Sequence, residues 1–231
     1  MTTDVLHLKQ QAADRAVELV QAGMVLGLGS GTTALLAVRR LAEQLHAGRL
    51  RDIVGVPTSV VIEQEARRLQ IPLTTLEAHP VLDLTIDGAD EVDPQLNLIK
   101  GGGGALLREK IVAQASRREI IIVDESKLAP VLGTRWTVPV EVIPFGWPSQ
   151  AEYLKTLGAQ VVLRQQNGVV FKTDQGNLIL DCQFGPISDA YALAAKLKTR
   201  TGIVEHGLFL DLASEVIVAG ADGVRRLSKA K

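Results

Sequence analysis

The sequence is poor in several features that would point to whole classes of protein. It has one cysteine, Cys182, which excludes an intrachain disulfide and leads us to expect a reducing, cytoplasmic location. Its 25 Lys and Arg nearly balance its 26 Asp and Glu, so the net charge of -1 favours neither nucleic acid nor an anionic membrane as partner. No apolar run approaches the roughly 20 residues that span a bilayer. We therefore expect a small molecule to be the ligand.

Metal-binding patterns are also missing. The four histidines, His7, His46, His79 and His206, are scattered and have no cysteine nearby, so we expect no metal site. Residues 1–21 carry charged side chains throughout, unlike a signal peptide. The 231 residues, 46% of them hydrophobic, are enough for one large domain or for one domain with a smaller insert.

Short apolar runs that end in glycine or aspartate alternate with helical patterns up to residue 130. Because these runs lack polar alternation, they are typical of strands in a parallel sheet covered on both faces. We predict a Rossmann-like, mainly parallel α/β sheet with helices on both faces. The predicted strands are 24–29, 53–56, 82–86, 96–99 and 119–124, and the predicted helices are 12–20, 35–45, 59–69 and 105–115.

The pattern changes after Pro130. Strand and helix signals follow in the order β-α-β-β-α-β, with turn signals at 167–168 and 174–176. This order is typical of a small, ferredoxin-like α+β domain, which we predict as an insert over 131–206. A last apolar strand, 215–220, is expected to rejoin the first sheet, so the Rossmann-like domain is predicted to cover 1–130 and 207–231.

Four glycine-rich or polar segments follow predicted strands, which is where α/β proteins bind ligands. The first is GLGSGTT, which lets the backbone approach a ligand closely and opens a helix whose amides can face a phosphate. It lacks the end of a P-loop and the last glycine of a dinucleotide fingerprint. An ordinary tight turn capped by Ser30 is the alternative. The candidate phosphate-binding residues are Ser30, Gly31, Thr32 and Thr33.

The second segment is DGADE, which places Asp87, Gly88, Ala89 and Asp90 after an apolar strand. Carboxylates at such a position can bind sugar hydroxyls, hold a cation or relay protons. The alternative is a solvated turn before the helix-breaking Pro94.

The third segment is Lys100 followed by four glycines, which are costly to order. The loop is therefore expected to need unusual dihedrals or to turn amides toward a ligand, with plain flexibility as the alternative. Glu109, on the second turn of the next predicted helix, is a competent base or else a solvated helix residue. The fourth segment, DESK, places Lys127 after a strand, where it can hold a phosphate or a carbonyl group or, if buried, form a Schiff base.

Together, and in this order, the four segments resemble ribose-5-phosphate isomerases of the A type. Members of that family carry GxGTGST, DGADE, KGGG…REK and DxSK where this chain has GLGSGTT, DGADE, KGGGGALLREK and DESK. The similarity runs nearly end to end and includes PVEVIP at 139–144 and GIVEHGLF at 202–209. Two positions depart from the pattern, because Ser30 stands where threonine is common and Leu107 where threonine is frequent.

The resemblance implies a reversible interconversion of D-ribose 5-phosphate and D-ribulose 5-phosphate through an enediolate, without metal or cofactor, in the non-oxidative pentose phosphate pathway. Glu109 matches the family's base, which moves a proton between C2 and C1. Lys100 and the amides of Gly101, Gly102 and Gly103 would stabilise the charge that develops on oxygen. Asp87 and Asp90 match positions that contact sugar hydroxyls and help to open the ring or to move protons between O1 and O2. Gly88 and Ala89, which lie between them, are also expected to bind the substrate.

The resemblance also implies where the phosphate binds and how the chain assembles. The 5-phosphate would lie on the turn from Ser30 to Thr33 with Lys127 and with Lys9, which aligns with a lysine near the family's N-terminus. Family members are homodimers or homotetramers, and the neighbourhood of Phe145 and Trp147 is a candidate contact patch.

Three other functions are weighed against this one. An isomerase or deaminase for another phosphosugar stays open, since fold alone does not fix the substrate. A non-catalytic phosphosugar sensor would usually need an appended helix-turn-helix, and only one helix fits before the strand at Met24. A dinucleotide-dependent dehydrogenase lacks the last glycine and an acidic ribose partner.

Overall fold

A computed structural model describes residues 2–228, with side chains from residue 5 onward. Its helices are α1 (Thr2–Val17), α2 (Thr32–His46), α3 (Val60–Arg68), α4 (Leu106–Gln114), α5 (Trp147–Thr156) and α6 (Ala190–Lys198). Its strands are β1 (Val25–Leu28), β2 (Val54–Pro57), β3 (Leu84–Asp87), β4 (Glu91–Val92), β5 (Leu98–Ile99), β6 (Glu119–Asp124), β7 (Val138–Val142), β8 (Gln160–Leu163), β9 (Gln165–Gln166), β10 (Val169–Val170), β11 (Leu178–Gln183), β12 (Ile203–His206), β13 (Leu208–Phe209), β14 (Glu215–Gly220) and β15 (Gly223–Ser228).

The chain divides into two compact units. Unit 1 comprises Met1–Ala89, Arg108–Lys127 and Asp211–Lys231, and unit 2 comprises Asp90–Leu107 and Leu128–Leu210. The domain boundaries proposed from the sequence differ from this division at 90–107, 128–130 and 207–210, which lie in unit 2. Residue 1 and residues 229–231 of the proposed first domain lie outside the described residues.

Unit 1 is built on a six-stranded sheet of order β15-β14-β6-β3-β1-β2. Neighbouring strands are parallel except for the antiparallel edge strand β15. One face packs on α1, α2 and α3 through a core that includes Ala16, Leu41, Ile62 and Ile122. On the other face Val112 of α4 packs with Val56 of β2 and with Leu82, just before β3. The predicted Rossmann-like sheet with helices on both faces is confirmed.

The strand order places a switch point beside β1. The chain runs from β1 to β2 on one side, and its next strand, β3, pairs with the other side of β1. Connections that leave in opposite directions open a crevice outside the carboxyl ends of two such strands, and open α/β sheets bind ligands there. In unit 1 those ends carry GLGSGTT and the first three residues of DGADE, 87–89.

Two elements of unit 1 differ from the prediction. The first helix covers Thr2–Val17 rather than 12–20, because the chain leaves the helix after Val17 and turns through 18–23 to enter β1. The edge strand β15 was not predicted, since nearly all of its residues are exposed and it has no apolar pattern. No helix over residues 2–228 combines the length and the apolar character that crossing a membrane would require.

Unit 2 contains a four-stranded sheet of order β12-β7-β11-β8 in which all neighbours are antiparallel. Helices α5 and α6 pack on it, and Leu154 and Leu197 of these helices share one hydrophobic core with Val140 and Leu180 of the sheet. This is the predicted ferredoxin-like arrangement, and it is confirmed. A smaller sheet, β13-β5-β4, explains why 90–107 belongs here, because β5 pairs with β13 as well as with β4.

Glu141 of β7 is a fully buried carboxylate in unit 2. Its Oε1 accepts hydrogen bonds from Thr173 Oγ1 and Asn177 Nδ2, each at 2.9 Å. Within the described part of the chain no donor reaches Oε2. Burial raises the pKa of the Glu141 carboxyl, and the two hydrogen bonds offset this only in part.

We therefore expect Glu141→Gln to stabilise the protein at neutral pH by about 1 kcal/mol. The raised pKa means that the folded state holds the proton more tightly than the unfolded state. The stability of the wild-type protein therefore falls as the pH rises from the pKa of this carboxyl in the unfolded state to its pKa in the folded state. Glutamine keeps an acceptor for Thr173 without the charge, so its advantage should shrink as the pH falls toward 4. Urea unfolding across this pH range measures it, with the exposed Glu152→Gln as control; a pH-independent difference would contradict this.

Candidate active site

The carboxyl edge of the unit 1 sheet holds the first group of candidate residues. Gly29 follows β1, and its amide donates to the carbonyl of Ile86 at 3.0 Å. A Cβ at Gly29 would overlap Ile86 O and Asp87 Oδ1, so only glycine lets the turn after β1 approach β3 this closely.

Asp87, at the end of β3, is fully buried and oriented by two backbone amides. Its Oδ1 accepts from the amide of Ser30 at 3.0 Å and from the amide of Gly88 at 2.7 Å. The structure thus brings Ser30 of GLGSGTT and Asp87 of DGADE together, and the turn after β1 sets the position of the Asp87 carboxylate.

The hydroxyl of Ser30 lies in a network that the sequence analysis missed. Its Oγ is 2.7 Å from Thr58 Oγ1 and 2.8 Å from Ser59 Oγ, just after β2. Thr58 in turn donates to the carbonyl of Leu28 at 2.9 Å. A hydroxyl has one proton, and these neighbours already engage it, so Ser30 is better placed to hold the turn than to donate to a ligand. Thr58 and Ser59 follow a predicted strand, and that position was the available signal.

Helix α2 begins at the end of this turn. Its N-cap is Gly31, with φ of 93°, and among the described residues no side chain caps the helix. Ser30 is therefore not the cap, which removes the alternative of an ordinary Ser-capped turn. Lys9 Nζ donates to Thr32 Oγ1 at 2.9 Å, so the structure places this lysine at the same helix terminus. Uncapped amides and a nearby ammonium group suit an anion.

Two further candidates lie in unit 1. Lys127 ends a short 3₁₀ turn, Glu125–Lys127, at the same carboxyl edge of the sheet after β6, and it is half-buried. Glu109 is buried, with 5% of its surface exposed. It lies in the first turn of α4 rather than in the predicted second turn, because the helix begins at Leu106.

The second group of candidates is in unit 2, around the loop from Lys100 to Gly104. Lys100 is buried, its amide donates to the carbonyl of Gly207 at 2.9 Å, and its ammonium nitrogen lies 5.4 Å from the ring centroid of Phe209. This geometry fits a cation–π contact. Phe209, like Thr58 and Ser59, is a residue that the sequence analysis did not single out.

Asp90 lies against the glycine loop. Its amide donates to the carbonyl of Ile99 at 2.8 Å, and its Oδ2 accepts from the amide of Gly102 at 2.7 Å. The structure therefore brings Asp90 and Gly102 together. Ala89, the last residue of the first segment of unit 1, precedes it and is partly exposed.

Three of the four glycines in the loop are each required by a different feature of the structure. Gly101 has φ of +104°, and a Cβ there would lie 2.8 Å from Leu106. A Cβ at Gly102 would lie 2.8 Å from Asp90 Oδ1, and one at Gly104, where φ is +82°, would overlap the ring of Phe171. Gly103 alone faces open space. The loop thus has a defined shape, as predicted, and flexibility does not explain its glycines.

Glu91, the third carboxylate of DGADE, stabilises the fold of unit 2. It is fully buried, and it accepts the amides of Gly133 at 2.6 Å and Arg135 at 2.7 Å. Over residues 2–228, no three His, Cys, Asp or Glu side chains are grouped so that they could hold a metal ion. The metal-free reaction stays a prediction.

Comparisons with known proteins agree with one another. A family model described as ribose 5-phosphate isomerase A (phosphoriboisomerase A) matches residues 54–223. The ribose-5-phosphate isomerase A of Chloroflexus aurantiacus is 60% identical over 228 residues, which cover 98% of this chain and 95% of that protein. The solved ribose 5-phosphate isomerase from Plasmodium falciparum has a TM-score of 0.95 at 43% identity and covers 98% of this chain and 100% of its own. A D-ribose-5-phosphate isomerase in complex with phospho-erythronic acid also has a TM-score of 0.95, at 41% identity, with 97% of this chain and 99% of that chain covered.

Proposed function

The chain belongs to the ribose 5-phosphate isomerase A family, and we propose that it interconverts D-ribose 5-phosphate and D-ribulose 5-phosphate in the pentose phosphate pathway. The observation that carries the proposal is that two side chains close in the sequence are both buried, Lys100 at the start of an ordered glycine loop and Glu109 in the first turn of the helix that follows it. An aldose–ketose isomerisation needs such a pair, a base and a stabiliser of negative charge. A non-catalytic sensor needs neither, and the comparisons do not favour it.

Glu109 is the proposed base. The hydrogen on C2 of the open-chain aldose is weakly acidic because it lies next to the carbonyl, and one carboxylate can remove it and return it to C1. Burial of Glu109 limits exchange of the carried proton with bulk water.

Lys100 and the glycine loop are proposed to stabilise the enediolate. The amide of Gly102 already donates to Asp90. The proposed donors are therefore Lys100 Nζ and the amides of Gly101 and Gly103, a narrower set than the sequence suggested.

Asp87 and Asp90 are proposed to contact the sugar hydroxyls and to assist ring opening and proton movement between O1 and O2. Each carboxylate has one oxygen held by backbone amides, that of Asp87 by Ser30 and Gly88 and that of Asp90 by Gly102. Carboxylates fixed in advance lose little entropy when substrate binds. Gly88 and Ala89 connect the two in sequence.

The 5-phosphate is proposed to bind at the start of α2. The amides of Gly31, Thr32 and Thr33 and the ammonium groups of Lys9 and Lys127 are the proposed donors. Ser30 is assigned to holding this turn in place, because Thr58 and Ser59 engage its hydroxyl.

We further propose a cytoplasmic homodimer or homotetramer. The side chain of Phe145 is 88% exposed beside Trp147, which supports a role of this patch in assembly. Cys182 is a buried free thiol, which suits a reducing compartment.

Ribose 5-phosphate should isomerise in deuterated water with EDTA present, and NMR should show deuterium at C1 of the ribulose 5-phosphate formed. Internal return of the abstracted proton would lower the label without removing it. Unphosphorylated ribose is the matched control and should react poorly, since phosphate contacts position the sugar. No turnover of the phosphosugar would contradict the proposed function.

A further inference from the structure

Arg164 of unit 2 joins β8 to β9 and reaches the glycine loop. Its Nη1 donates to the carbonyl of Gly101 at 2.7 Å and to that of Gly102 at 3.1 Å. The sequence separates these residues by more than sixty positions, and neither the motifs nor the family resemblance singled out Arg164.

The guanidinium group is held on its other sides. Nε and Nη2 form a two-point ion pair with Asp181 on β11, with the Nε contact at 2.9 Å. The plane also lies over the ring of Phe171, at 5.9 Å. The Arg164 side chain is only 13% exposed, so these contacts fix it in one orientation.

Peptide geometry passes this orientation on to the loop. A trans peptide is planar, and its N–H points opposite to its C=O. Holding the carbonyl of Gly101 therefore directs the Gly102 amide away from Arg164, and that amide donates to Asp90. Holding the carbonyl of Gly102 directs the Gly103 amide in the same way. A cation on the carbonyl also polarises the peptide and makes its N–H a stronger donor.

We propose that Arg164, oriented by Asp181, is a positioning residue that aims and strengthens two loop amides, that of Gly103, which stabilises the enediolate, and that of Gly102, which holds Asp90. The proposal rests on the proposed function of the loop. Arg164 acts through the carbonyl oxygens of Gly101 and Gly102 and does not contact the substrate itself.

The test compares Arg164→Lys and Arg164→Met with Arg200→Met. Arg200 is a matched control in the same unit, because it lies 4.9 Å from the ring of Tyr153 and donates to Gln150 and Ser149. Steady-state kinetics give kcat and KM. Binding is measured for phospho-erythronate, whose carboxylate resembles the developing charge, and for ribitol 5-phosphate, which carries no such charge.

Both Arg164 variants should lower kcat about 10-fold to 100-fold and weaken phospho-erythronate binding by a similar factor. KM and ribitol 5-phosphate binding should change by less than roughly threefold. Arg200→Met should keep kcat and both affinities. If Arg164→Met does not fold, Arg164→Lys decides, since it keeps the charge and most of the packing.

Near wild-type kcat in Arg164→Lys would overturn the proposal, because a single ammonium cannot reproduce the fork. An equal loss of affinity for both ligands would also overturn it, since that indicates general distortion. Failure of the proposed function is a separate result, in which the wild-type protein does not turn over ribose 5-phosphate.

Discussion

Glu109→Gln lowers kcat for ribose 5-phosphate by about 10²-fold to 10⁴-fold and leaves phosphosugar binding largely intact. Glutamine has nearly the same shape as glutamate but cannot accept the C2 proton. Only 5% of the surface of Glu109 is exposed, so bulk water is poorly placed to replace the base. NMR of the reaction mixture measures turnover, and calorimetry with ribitol 5-phosphate measures binding.

Glu43→Gln is the matched control for this change. Glu43 lies in unit 1 on α2, its side chain is 62% exposed, and it pairs with Arg40. Its loss should leave kcat unchanged, because an exposed ion pair contributes little. Near-normal turnover in Glu109→Gln would remove Glu109 from the role of base. Loss of ribitol 5-phosphate binding together with turnover would mean that the substitution had damaged the binding site.

The sequence predicted the unit 1 sheet and its ligand-binding edge because those signals are local. The strand β6 is apolar from Ile120 to Val123 and is buried at every residue, which is what a central parallel strand requires. Glycine is required at position 29 because the backbone of β3 lies too close for a Cβ, and at position 101 because φ is positive. These glycines therefore marked the two turns in the sequence.

The contacts that set the detailed geometry are long-range and could not be predicted in this way. The two-residue strands β4 and β13 have no periodic pattern, and they form through pairing with β5. Ser30 meets Thr58 and Ser59 only because β1 lies next to β2 in the sheet. Its hydroxyl was therefore expected to face phosphate, whereas the structure engages it within the protein.

Lys100→Met should lower kcat by about 10²-fold to 10³-fold, the usual cost of removing one stabiliser of a developing oxyanion. Methionine keeps an unbranched apolar chain against Phe209 but carries no charge that could stabilise the enediolate. The effect should therefore fall on the reaction and on phospho-erythronate binding.

Lys155→Met is the control, since that side chain is 51% exposed on α5 and pairs with Glu152. Binding of phospho-erythronate and of ribitol 5-phosphate distinguishes stabilisation of the enediolate charge from a role in proton movement. If Lys100 stabilises charge, its loss weakens binding of phospho-erythronate and leaves binding of ribitol 5-phosphate unchanged. The same pattern is expected for Arg164, with a smaller loss of affinity. If both ligands bind as in the wild type while kcat falls, Lys100 acts on proton movement and not on the enediolate charge. Unchanged kcat would remove Lys100 from the mechanism.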